Sequence, residues 1–172
     1  MTAPEPDLPA GPIFDSLTAP QRRELLALME TASFEPGTSI VDEGKQTPGL
    51  WILTRGRCDV VKATPDGDRV LAELGPGTVF GEMSFFERVP HAATVRSVTS
   101  VTALRLTPEN YAQLERTGLR AAHQIAHAIA VVLSERLRQM DEWTTCLLTQ
   151  SRPEKREEWA EFRAKLYNGW GI

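Results

Sequence analysis

Cysteine is scarce in this sequence. Cys58 and Cys146 lie far apart, with no CxxC pair and no cysteine–histidine pattern. That spacing argues against a disulfide framework or a structural zinc site and for free buried thiols. Histidine is as sparse: His91, His123 and His127. His123 and His127 stand four apart on a helical stretch, a geometry that can bind metal, but no third ligand accompanies them, so a surface or interface pair is the simpler reading. There is no excess of positive charge. The net charge is −4 and the pI near 5.5, which argues against a nucleic-acid polymer as partner, since that needs a basic face. No apolar run approaches the length that spans a bilayer, and the first residues lack the basic and apolar segments of a secretory signal. A cytoplasmic location without membrane attachment is therefore expected. No serine or cysteine stands in an activated nucleophile pattern, so no catalytic residue is assigned and a non-enzymatic role is expected.

What the chain does have is enough apolar material for a core: 41% hydrophobic residues against 24% charged. Three parts are expected. Residues 1–12 carry four prolines and few large apolar groups, and read as a disordered tail. Residues 13–145 form one domain that includes a long helix, and residues 146–172 an amphipathic helical extension. After Ile13-Phe14-Asp15-Ser16-Leu17, Thr18 is a helix N-cap with Pro20 early in the helix, and Leu25, Leu26, Leu28 and Met29 give an apolar face through about Thr31. From 33 to 106 the pattern changes to short apolar runs broken by turns. These include Ser39-Ile40-Val41, Leu50-Trp51-Ile52-Leu53, the partly alternating run from Cys58 to Lys62, the turn Pro65-Asp66-Gly67-Asp68 and its return strand, then residues 92–98 and 101–106. About eight closely spaced strands predict an α+β chain. Its centre is an antiparallel β-roll, a jelly-roll-like barrel, with an N-terminal helix on one side and long helices C-terminal to it. Thr107 and Pro108 start a further helix, which Gly118 ends.

One stretch, residues 74–95, stands apart: LGPGTVFGEMSFFERVPHAATV. It joins the turn Gly75-Pro76-Gly77 to an aromatic, a glycine and an acid (Phe80, Gly81, Glu82), then a short apolar run, then Pro90 and small residues. Backbone N–H groups bind an anion only where side chains leave them open, and a carboxylate beside them accepts from a sugar hydroxyl. Phosphate plus ribose is the chemistry this suggests. Residues 80–95, FGEMSFFERVPHAATV, closely resemble the phosphate-binding cassette of the cyclic nucleotide-binding domain family, F-G-E-[LMI]-[AS]-[LF]-[LF]-x-x-x-P-R-[AST]-A-[TS]-[VIA], in register and without a gap. The likeness extends over about residues 14–142, including the spacing of Phe34, Gly37, Ile40 and Gly44 and the run from Leu50 to Gly56.

The resemblance implies a set of ligand contacts. Glu82 would accept the ribose 2′-hydroxyl, and backbone N–H groups of Gly81, Met83, Ser84, Ala92 and Ala93 would hold the cyclic phosphate, with Phe80 beside them. Two of these positions have plainer readings: Glu82 can simply cap the short helix that follows it, and Ser84 can be a structural small residue. Ala92 stands where cGMP-preferring members tend to carry threonine, so cAMP is the favoured ligand. Base contacts are expected on the long helix, among Leu133, Ser134 and Leu137. The pattern breaks at one residue, where the family's phosphate-binding arginine is His91. Arginine brings a permanent forked charge, whereas an ordinary histidine, with a pKa of about 6.5, is mostly neutral at pH 7. The phosphate end is thus expected to be weakened or pH-tuned. Arg88 either supplies the missing charge or is a solvated loop residue.

Residues 120–142 contain no glycine or proline and carry two apolar stripes. Ala126, Ala130, Leu133, Leu137 and Met140 follow an a/d spacing, and Ala122, Ile125, Ile129 and Val132 lie beside them. One stripe suits the barrel and the other a second copy, giving a homodimer through the long helix; a single broad core face in a monomer is the alternative. Residues 151–154 form a capping-box pattern. The segment 154–170 then reads as an amphipathic helix that either docks on its own chain or binds a protein partner. Only about thirty residues follow the long helix, too few for the helix-turn-helix domain of the family's transcription factors. The expectation is a stand-alone cyclic-nucleotide sensor that signals by moving its long helix. The alternative is a degenerate domain that has lost the nucleotide and serves as a dimeric interaction or structural module.

Overall fold

The computed structural model describes residues 8–149. The chain divides into two compact units, one ending at Ile129 and one beginning at Ala130.

In the first unit, helices α1 (Pro12–Ser16) and α2 (Ala19–Leu28) precede eight strands: β1 (Glu30–Phe34), β2 (Ser39–Val41), β3 (Leu50–Arg55), β4 (Cys58–Thr64), β5 (Gly67–Leu74), β6 (Val79–Phe80), β7 (Thr94–Ser97) and β8 (Val101–Leu106). Helix α3 (Glu82–Glu87) lies between β6 and β7, and α4 (Pro108–Thr117) follows β8. The strands form two four-stranded antiparallel sheets, ordered β1-β8-β3-β6 and β2-β7-β4-β5. The expected antiparallel roll of about eight strands is what forms.

Between the sheets lies one apolar layer. Trp51, Leu53, Phe80, Val101 and Ala103 come from the first sheet, and Val41, Cys58, Leu74 and Val95 from the second. Strand side chains alternate between faces, so Leu50 and Ile52 point away from that layer, yet each is only 1% exposed. That face is covered too, which is why residues 50–53 are apolar without alternation. Leu26 and Met29 of the α2 region border a cavity with Thr54, Thr102 and Leu104, placing α2 over this outer face. Each large side chain so buried contributes at most about 1.5–3 kcal/mol.

Helices α2 and α4 begin at the expected residues, Thr18 and Thr107. At α2, both the N–H and the hydroxyl of Thr18 donate to Gln21 Oε1. At α4, the Thr107 hydroxyl oxygen accepts from the Asn110 N–H. Three boundaries differ from expectation. Helix α2 stops at Leu28 rather than near Thr31, because residues 30–34 are drawn into β1 by pairing with β8, Glu30 opposite Arg105 through Phe34 opposite Val101. Strand β7 covers only residues 94–97, since Ala92 and Ala93 belong to the cassette loop. The long helix α5 (Leu119–Thr149) runs past Glu142. The expected N-terminal tail lies mainly outside the described residues. Its last part passes so close to the Gly75–Gly77 turn that a Cβ on Gly77, itself at φ +88°, would sit 2.0 Å from the Ala10 carbonyl oxygen.

Ala121, Ala122, Ile125, Ala128 and Ile129 of α5 are buried in the first unit. In the second, Val131, Leu137 and Met140 are exposed. Residues 150–172, with the expected capping box and the helix at 154–170, lie outside the described residues. Among the described residues no helix is long and apolar enough to cross a membrane.

Candidate functional site

The cassette starts from a rigid support. Phe80, 4% exposed, stacks on Trp51 of the neighbouring strand with ring centres 6.1 Å apart and planes 5° from parallel. Gly81 then takes φ +81°, and a Cβ there would stand 2.5 Å from the Gly49 carbonyl oxygen. Only glycine fits both demands, which explains its place in the motif. It caps α3 at its N-terminus, so Glu82 is the first helical residue, buried at 6% exposure where the helix dipole favours a negative charge. Helix α3 is held from its other side by aromatic packing: Phe85 and Phe86 both meet Tyr111 of α4 edge-on, at 5.5 and 5.9 Å. Burial, then the nearby Glu115, pushes the Tyr111 phenol above its ordinary pKa.

Met83 turns its side chain outward, leaving its backbone as what it offers the site. Ser84 is buried, and its hydroxyl has no hydrogen-bond partner among the described residues. Arg88 ends α3 in a left-handed conformation (φ 57°) and is exposed. It makes no ion pair among the described residues, and its carbonyl accepts from the Gln46 side chain.

The far arm of the cassette is zipped to the loop after β2. The Gly44 N–H donates to the His91 carbonyl at 2.9 Å, and the His91 N–H donates to the Lys45 carbonyl at 3.0 Å. The His91 ring is buried, with Nε2 at 3.1 Å from Thr47 Oγ1 and 3.2 Å from the Thr47 carbonyl oxygen. Beyond it Ala92 is exposed and Ala93 half-buried. Among the described residues their N–H groups donate no hydrogen bond, which leaves two adjacent donors open to a ligand.

Lys62, which the motif reading passed over, ends beside these alanines. Its ammonium donates to the Ala92 carbonyl at 2.6 Å and to Glu43 Oε1 at 2.6 Å. Glu43 also accepts from the Ala63 N–H at 3.0 Å, while its own N–H donates to Thr94 Oγ1. The hydrogen bond from Lys62, then that from Ala63, holds the Glu43 carboxyl below its ordinary pKa.

The first unit thus gathers Phe80, Gly81, Glu82, Met83, Ser84, His91, Ala92 and Ala93 on one helix–loop arm. The expected base contacts lie in the second unit: Leu133 is half-buried, Ser134 is exposed with its hydroxyl donating to the Ala130 carbonyl, and Leu137 is exposed. Of the expected dimer seam, Ala126 and Leu133 are half-buried, whereas Ala130, Leu137 and Met140 are exposed. His123 and His127 are exposed, and no group of three metal-ligating side chains forms among the described residues.

The chain is similar to known proteins in sequence and in fold. The chain is 31% identical over 133 residues to the cyclic AMP receptor protein of Thermus thermophilus, covering 76% of this chain and 59% of that protein. It is 30% identical over 102 residues to the cAMP-dependent protein kinase regulatory subunit of Debaryomyces hansenii, covering 59% of this chain but 22% of that protein. The crystal structure of the Thermus thermophilus catabolite activator protein superposes with a TM-score of 0.71 at 28% identity, over 80% of this chain and 63% of that one. The chain therefore spans less than two thirds of the length of both curated relatives. The profile of the cyclic nucleotide-binding domain matches residues 31–117, from β1 to the end of α4, with the whole cassette inside it. With the two-sheet roll, the glycine-capped α3 and the open alanine loop all in place, this chain belongs to the cyclic nucleotide-binding domain family.

Proposed function

We propose that this chain is a cyclic-nucleotide sensor module, with the nucleotide held by the cassette and cAMP preferred over cGMP. The observation that carries the reading is the juxtaposition of buried Glu82 at the glycine-capped start of α3 with the two uncommitted N–H groups of Ala92 and Ala93. A carboxylate for a ribose hydroxyl and paired backbone donors for a phosphate are the two kinds of partner a cyclic nucleotide requires. The names of the relatives, a cyclic AMP receptor protein and cAMP-dependent kinase regulatory subunits, support cAMP, as does alanine rather than a hydroxyl residue at position 92. Base contacts at Leu133, Ser134 and Leu137, a response by the long helix, and a homodimer through its exposed stripe belong to the same proposal.

A second reading rests on a specific contact. The His91 ring nitrogen is already engaged by Thr47. In that reading the domain has given up the nucleotide and acts as an interaction module. Calorimetric titration of the full chain with cAMP and with cGMP separates the two: saturable binding, tighter for cAMP, supports the sensor, and no heat or thermal stabilisation at millimolar ligand leaves only the interaction module.

A further inference from the structure

We propose that Lys62 is the cation this chain presents to the cyclic phosphate, in place of the arginine that its cassette lacks. The inference rests on the reading of the site as a nucleotide cassette and names the residue that supplies its charge.

An anion on the N–H groups of Ala92 and Ala93 needs a nearby positive charge if it is to be held better than by dipoles alone. His91 is buried with Nε2 against Thr47, and Arg88 is exposed at the end of α3 with only its carbonyl tied to the loop. Lys62 is placed differently. Strand β4 pairs with β7 in the register Cys58 opposite Ser97 through Val61 opposite Thr94. One residue further along, that register brings Lys62 level with the cassette alanines. Its ammonium is fixed there by the Ala92 carbonyl, on the same residue that offers one of the open N–H groups.

Chemistry agrees with position. An ammonium has three N–H donors. Lys62 uses one on Glu43 and one on Ala92, so one remains for an incoming oxygen. The side chain is 42% exposed, so it is held but not sealed. Glu43, 27% exposed, balances the charge of Lys62 and competes with an anion for it. Binding then amounts to sharing Lys62 between Glu43 and the phosphate, and the Glu43 carboxylate sets how strongly the anion is held.

That competition makes the test directional. In calorimetric titrations of the full chain with cAMP, Lys62→Met is expected to weaken binding about 5- to 10-fold, the loss of one charge-assisted hydrogen bond at a part-exposed site. Lys62→Arg should stay within about twofold of the unaltered chain. Glu43→Gln should tighten binding a few-fold, because it frees Lys62 while keeping an oxygen for the Ala63 N–H. A purely structural role for the Glu43–Lys62 pair gives the opposite sign: Glu43→Gln then weakens binding or leaves it unchanged, and that result overturns the proposal even if Lys62→Met fails to fold. Equal affinity of Lys62→Met and the unaltered chain overturns it too, leaving the sensor reading intact. Absence of cAMP binding by the unaltered chain removes both.

Discussion

His91 shows how one side chain can serve the fold at the expense of the chemistry expected of it. Its backbone makes two hydrogen bonds to the loop after β2 and its ring a third contact to Thr47, so it fastens the cassette to the barrel. An arginine at this position would exchange the ring's contact with Thr47 for a charge-assisted hydrogen bond to phosphate, worth about 1.5–3 kcal/mol. Cys58 is a simpler case. It sits fully buried in the layer between the sheets, and burial, then the charge of Asp59, pushes its thiol up to about 11 from 9.0. The folded chain therefore holds a proton that the unfolded chain releases between those values, so stability falls as pH rises from about 9 to about 11. Urea titrations at pH 8 and pH 10 should show that fall, and Cys58→Ala should flatten it. In a Cys146→Ser background, Cys58 should react with a thiol reagent only as fast as the chain unfolds.

At the scale of elements, the cassette depends on one glycine. Gly81→Ala places a methyl group 2.5 Å from the Gly49 carbonyl in a left-handed backbone conformation. It should cost about 1–3 kcal/mol in urea unfolding, with loss of nucleotide binding at temperatures where the chain is still folded. The short helix after Gly81 was legible in the sequence through the likeness of residues 80–95 to the family motif, whereas the left-handed, confined backbone of Gly81 and the burial of Glu82 were not. The Thr18 and Thr107 helix starts and the strand at residues 50–53 were legible too, although the strand's coverage on both faces emerged only from the packing. What was not legible depends on which strands meet. The end of α2 was overrun because residues 30–34 are claimed by β8, about seventy residues away, a pairing that includes a 3.7 Å Glu30–Arg105 contact. Lys62 went unnoticed for the same reason: nothing near it in sequence marks it as cassette-facing, and only the β4–β7 register brings it to Ala92. Thr47 became visible as the partner of His91 only once the loop after β2 had closed over the cassette arm.

Beyond Ile129, the long helix exposes three large apolar side chains, Val131, Leu137 and Met140, among charged and polar neighbours. The buried residues of α5 in the first unit, Ala122, Ile125 and Ile129, account for one of the two stripes read from the sequence. Leu137 and Met140, each 60% exposed, belong to the other. The proposed homodimer through the long helix would cover them. Leu137→Ala with Met140→Ala should leave the melting temperature of the barrel nearly unchanged and shift sedimentation at micromolar concentration from dimer to monomer. A chain that sediments as a monomer at every concentration before substitution would contradict the dimer. The net charge of −4 would make a fixed cation beside the proposed phosphate site more consequential, since the general field of the protein would repel an anionic nucleotide. The cassette is expected to bind a cyclic nucleotide despite histidine at position 91. Calorimetric titration of cAMP into the unaltered chain and into His91→Arg tests it most directly. Saturable binding to both is expected, about tenfold or more tighter for His91→Arg, with cGMP bound more weakly than cAMP by the unaltered chain. No binding to either protein at millimolar cAMP, with both folded, would contradict it.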